Sequence, residues 1–153
     1  MGDYWRNAVR HPEDIGVGHI RRTVDFSEFV TTAQADTGQP ANSCPIGTLE
    51  AGAVILRAYA VVQTAFNGTT PAITVGSSAT VAGVMASADI VPGTITTGIK
   101  AAPVAGALLG TPLAADTVFY AFKTTTDTTV GKATFIIEFV NKRESIVRPF
   151  PNN

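Results

Sequence analysis

Runs rich in Val, Ile, Thr and aromatic residues recur along this chain, and Gly, Pro, Asn or Asp breaks them at roughly 8–12-residue intervals. Helical periodicity is nearly absent. This pattern restricts the chain to an all-β fold: a β-sandwich, a jelly roll or a barrel. Strands are expected at "HIRRTVDF" (19–26), "SCPIGTL" (43–49), "AVILRAYAVVQTAF" (53–66), "AITVG" (72–76), "GTITTGI" (93–99), "TVFYAFKT" (117–124) and "KATFIIEFVN" (132–141). Both parities of the 53–66 run are mostly apolar, as expected of a strand covered on both faces. "VVQTAFNGTTPAITVG" (61–76) reads as a hairpin turned at Asn67-Gly68, with Val61, Phe66, Ile73 and Val75 expected to pack. "TVAGVMASADI" (80–90) suits a strand or a short helix, and "APVAGALLGTPLAAD" (102–116) a loop. "GTLEAGAVILRAYA" and "GTPLAADTVFYAFK" echo each other, each a short step, a tight turn and a long strand.

Charge is scarce and uneven. Only 15% of the 153 residues are charged, against about 25% in ordinary domains. From Ala58 to Phe122 the charged side chains are Asp89, Lys100 and Asp116 alone. A net charge of -1 argues against a nucleic-acid binder. No apolar run is long enough for a membrane helix. The polar first residues lack an apolar signal core, and Arg6 breaks the myristoylation pattern. A single cysteine, Cys44, excludes an internal disulfide and fits folding in a reducing cytoplasm.

The ends read as arms. Residues 1–19 have no period and include Pro12, Gly16 and Gly18; in residues 142–153, Pro149 and Pro151 hold Phe150 in an extended path. Between them lies one β-domain, 20–141. Each arm carries large anchors: Tyr4, Trp5, Arg6 and Arg10 in front, Ile146, Arg148 and Phe150 behind. Trp, Tyr and Arg dominate binding hot spots, so these are the candidate partner-binding residues.

Chemistry is hard to place. His11 and His19 lack further ligands at metal spacing. Cys44 has no histidine in the body to act as a base, so a buried structural thiol is expected. Asp89 and Asp116 are the acids that stand out, and each suits a turn hydrogen bond. Gly16-Val17-Gly18 lacks the strand and third glycine of a phosphate loop. No catalytic residue, metal or cofactor is expected.

The segment 47–79, "GTLEAGAVILRAYAVVQTAFNGTTPAITVGSSA", resembles a phrase of tailed-phage head proteins, and "PLAADTVFYAF" followed by "GKATFIIEFV" resembles how such chains finish. The likeness spans roughly 20–141 and is to capsid decoration or cement proteins. It implies a jelly-roll-like β-sandwich on the outside of a capsid, bound to the major capsid protein and to itself as a homodimer or homotrimer. It also implies a location in the virion after synthesis in the bacterial cytoplasm. No small molecule, nucleic acid or membrane is an expected partner. The rival expectation is a carbohydrate- or host-binding β-sandwich of a head fibre or tail.

Overall fold

The computed structural model describes residues 17–95, 100–101, 106–124 and 127–141. Seven strands follow in order: β1 Gly18–Asp25, β2 Ser43–Leu49, β3 Val54–Thr64, β4 Ile73–Ser77, β5 Lys100–Ala101, β6 Thr117–Lys123 and β7 Lys132–Val140. A 3-10 turn, Phe26–Glu28, follows β1, and a four-residue helix, α1 (Ser87–Ile90), follows β4. One sheet has the order β1-β7-β3-β5 and the other β2-β6-β4. Odd-numbered strands thus form the first sheet and even-numbered strands the second. Every pairing is antiparallel. This alternation is the jelly-roll form of the β-sandwich, the all-β class expected from the strand spacing. Among the described residues, no helix is long and apolar enough to cross a membrane.

The core lies between the sheets. Large and small side chains oppose one another across the first sheet: Phe135 pairs with Ala60, and Ile137 with Ala58. The second sheet contributes Cys44, Ile73, Val75, Phe119 and Ala121, all at most 1% exposed. Burying a Phe of this kind contributes about 1.5–3 kcal/mol. Within β3 the buried parity changes: Ile55 faces the core, then Ala58, Ala60 and Val62. A register shift between Ile55 and Arg57 accounts for the change, since one extra residue swaps the faces. Val61, expected to pack in the core, therefore stands half-buried on the outer face, while Phe66, Ile73 and Val75 are buried as expected. Tyr120 and Phe122 form a tilted ring pair, centroids 5.7 Å apart. They share the outward parity of the second sheet and lie outside the main core cluster.

Two expectations need correction. Asn67-Gly68 does not close a hairpin, because β3 and β4 lie in different sheets; the turn carries the chain across the end of the sandwich. Residues 93–95 of "GTITTGI" form no strand; residues 96–99 lie outside the described residues. Of the two readings of the 80–90 segment, the short helix forms: α1 closes it, and before it Met85 makes only an isolated bridge to Val75 on the edge of β4.

Side chains close the ends. The Asn67 carbonyl oxygen accepts from the N–H groups of Thr129 (2.7 Å) and Val130 (3.0 Å), and its amide donates to Thr129 Oγ1. The Asp127 carboxylate accepts from the Thr69 N–H (2.9 Å) and hydroxyl. These bonds tie the β3–β4 loop to the β6–β7 loop. At the opposite end the two echoing corners lie against each other. Gly52 N–H donates to Leu113 O, Leu113 N–H to Ala53 O, and Ala51 N–H to Asp116 Oδ1.

Three outcomes are expected. Asn67→Ala leaves two loop N–H groups without their acceptor and should cost about 1–2 kcal/mol in denaturant unfolding. Gly76→Ala should prevent folding or cost several kcal/mol, read by circular dichroism, because its Cβ would collide with the Thr80 carbonyl and Val81 backbone. The Thr69 N–H bond, the largest influence, holds the Asp127 carboxyl below its ordinary 3.8. A depressed folded value gives stability that is present above 3.8 and lost as pH falls through the folded value. Asp127→Asn should therefore flatten the acid limb of thermal stability below about pH 4.

Candidate functional site

The described residues hold no cluster of three or more His, Cys, Asp or Glu side chains able to share a metal ion. The acids that stood out serve the backbone. Asp89 Oδ2 accepts from the Ala86 N–H (2.9 Å) beside α1. Asp116 does so across the fold, to Ala51, instead of within its own turn. The two sit at opposite ends of β6, roughly 20 Å apart for a seven-residue strand, too far to flank one bond. Burial pushes the Cys44 thiol up to about 11, so it stays protonated at neutral pH, as suits a structural thiol. His19 stands exposed on β1.

The seven candidate residues of the arms, Tyr4, Trp5, Arg6, Arg10, Ile146, Arg148 and Phe150, lie outside the described residues, as does His11. What the structure does give is where the sandwich begins and ends. Gly18, the first residue of β1, faces Phe139, and Val140 ends β7 one residue later. A Cβ on Gly18 would press into the Phe139 ring, so the two strands meet closely there. Both termini of the sandwich thus emerge side by side from one end. That is the end built from the Glu50–Ala53 turn and the 106–116 loop.

Two further surfaces were not legible beforehand. The outer face of the first sheet carries charges of both signs. Arg57 pairs with Glu138 and lies over the Tyr59 ring at 5.9 Å, with Arg21 exposed on the same face. Exposed pairs of this kind contribute about 0.2–1 kcal/mol, so they add little to stability. At the end away from the arm roots, a shallow groove runs between Thr69, Pro71, Ala72, Ala88, Val91 and Gly93 and holds no titratable group. Val91 adopts φ 50° there, a strained conformation for a β-branched residue. No sequence pattern signals a left-handed valine.

No protein-family model matches the chain, and no curated protein matches it in sequence. Among solved structures, the fold is similar to that of a chain in "Cyanophage Pam1 capsid asymmetric unit". The TM-score is 0.63 at 17% identity, over 88% of this chain and 91% of that one. A chain in "Capsid of Ralstonia phage GP4" aligns over the same shares at 17% identity, with a TM-score of 0.48. The fold that the strand and turn phrases of residues 20–141 led one to expect is therefore one found in a phage capsid.

Proposed function

We propose that this chain is a non-enzymatic structural protein of a phage virion. It binds the outer surface of the capsid and stabilises the shell, as a homo-oligomer that clamps its neighbours with both terminal arms. The observation that carries this reading is the common root of the arms: Gly18 and Phe139 are paired neighbours, so both arms start from one end of a rigid sandwich. The fold shared with a cyanophage capsid chain supports it.

The physics of such a clamp is simple. An arm too short for a core of its own becomes ordered only against a partner, and that ordering costs entropy. Large anchors offset the cost: Tyr4, Trp5, Arg6 and Arg10 in one arm, Ile146, Arg148 and Phe150 in the other. Two arms on one end grip adjacent sites, so the second contact forms intramolecularly at high effective concentration. The partner is the major capsid protein, and the reading needs no cofactor, nucleic acid, membrane or small molecule.

Chains lacking residues 1–16 or 142–153 should keep the thermal unfolding of the full chain and lose binding to undecorated particles in a co-sedimentation assay. Truncated chains that still saturate particles would overturn the clamp. Binding to a glycan array together with indifference to particles would favour a host-binding module instead.

A further inference from the structure

A sandwich of two open sheets has four edges, and exposed edges recruit other strands. Three of the four are blunted here. Along β4, Val75 exchanges hydrogen bonds with Val84 and Met85. Beside β3, the edge strand β5 has only two residues, and the Ile55 carbonyl is taken by the Gly110 N–H. On β2, Pro45 has no N–H to offer and the register shifts between Pro45 and Gly47. The Ser43 carbonyl takes the Val30 N–H and the Gln39 amide, and the Pro45 carbonyl takes Arg22 Nη1 at 2.6 Å.

β1 differs from all three. It pairs with β7 over eight residues without a register shift, and contains no proline. Phe26 N–H donates to Gly131 O in continuation of that register. By antiparallel alternation, Val24, Arg22 and Ile20 then bond to β7, while His19, Arg21 and Thr23 turn N–H and C=O outward. The Asp25 N–H also points outward, and Glu28 Oε2 caps it at 2.7 Å. Arg22 does not guard this edge. Its head points to the other sheet, held by Glu28 and the Pro45 carbonyl, so it bars β2 instead.

We propose that β1 pairs with β1 of a second copy of this chain, antiparallel about a twofold axis at Arg22, so that the first sheet runs on across two protomers. The proposal names the interface of the homo-oligomer in the reading above, and rests on that reading for there being one. The register follows from charge and shape. With Arg22 opposite its twin, His19 faces Asp25, Ile20 faces Val24, and each Arg21–Thr23 pair exchanges both main-chain bonds. A register one step toward the N-terminus sets Arg21 against Arg21, and two steps set His19 against Arg21; one step toward the C-terminus shortens the pairing to residues 21–25 and calls on the Asp25 N–H that Glu28 already holds. Like charges directly opposite destabilise a ladder. The two Arg22 heads stay tethered within their own protomers. A twofold arrangement uses the same strand twice and closes after two copies.

The test uses the full chain without particles, so a failed capsid assay leaves it untouched. Sedimentation equilibrium should give twice the chain mass for the wild type and the single mass for Thr23→Pro. That substitution removes an outward N–H and leaves the main-chain ladder to β7 whole, but it also removes the hydroxyl bond from Thr23 to buried Thr134, so thermal unfolding should come at a lower temperature while staying cooperative. Should Thr23→Pro not fold, cross-linking decides. Arg21→Cys and Thr23→Cys chains, mixed and oxidised, should form a disulfide dimer, because paired Cα atoms sit about 5.5 Å apart. Neither variant alone should do so, and native Cys44 is buried. A monomeric or trimeric wild type, a dimer that survives Thr23→Pro, or a cross-link from Arg21→Cys chains alone overturns the proposal. A monomer whose Thr23→Pro variant loses particle binding assigns the edge to a capsid strand instead.

Discussion

Every connection in this fold must cross from one sheet to the other, a step of about 10 Å. Among the described residues, strands adjacent in sequence share no ladder, so a turn between them cannot extend a hairpin pairing. Some turns close on themselves, as Ala53 N–H does on the Glu50 carbonyl, and other loop N–H groups find acceptors far along the chain. Asn67 serves Thr129 and Val130, Asp127 serves Thr69, Asp116 serves Ala51, and the Ser87 hydroxyl accepts from Ile73. These polar side chains are as much a part of the architecture as the core. They also make the fold nonlocal, since β1 meets β7 across more than a hundred residues.

This explains the economy of charge. Five acids of the body, Asp25, Glu28, Asp89, Asp116 and Asp127, accept from backbone N–H groups, and the inner faces of both sheets are largely buried. The recurrent corner illustrates the same constraint. The turn at Glu50–Ala53 and the segment around Leu113 each lead into a long core strand at the same end, and each supplies donors and acceptors to the other. Similar sequences arise there because the same geometric problem is solved twice, side by side.

The strands were legible because period, β-branching and punctuation are local properties. The pairing was not. Asn67-Gly68 carries the chemistry of a hairpin turn, yet the Asn67 side chain is spent on another loop and the flanking strands part company. The parity of β3 could not be read past Leu56, because a register shift leaves no mark in a run that is apolar on both faces. The candidate site divides in the same way. The anchors proposed for the two ends come from composition alone, whereas the side-by-side ends of β1 and β7 and the outer edge of β1 depend on which strands neighbour each other. One trace of the edge was present: Arg22 falls on the apolar parity of Ile20 and Val24. A charge in that register signals a residue with a partner across the fold, here the carbonyl of Pro45.

The arms and the β1 edge are compatible because of where β1 sits. It is the outermost strand of its sheet, and its first residue is the root of the N-terminal arm. Joining two copies along β1 leaves the ladder to β7 intact. An antiparallel twofold sets the two Gly18 roots at opposite ends of the shared strand pair, roughly 25–30 Å apart for a pairing of this length. On the proposed reading, each protomer of such a dimer would grip a different neighbour in a shell, and the pair would span a joint that a single sandwich cannot reach. A staple of that form needs no reactive group anywhere in the body. It would ask only for a rigid β-body, an edge that the described residues leave uncovered, and two chain ends that leave that body side by side.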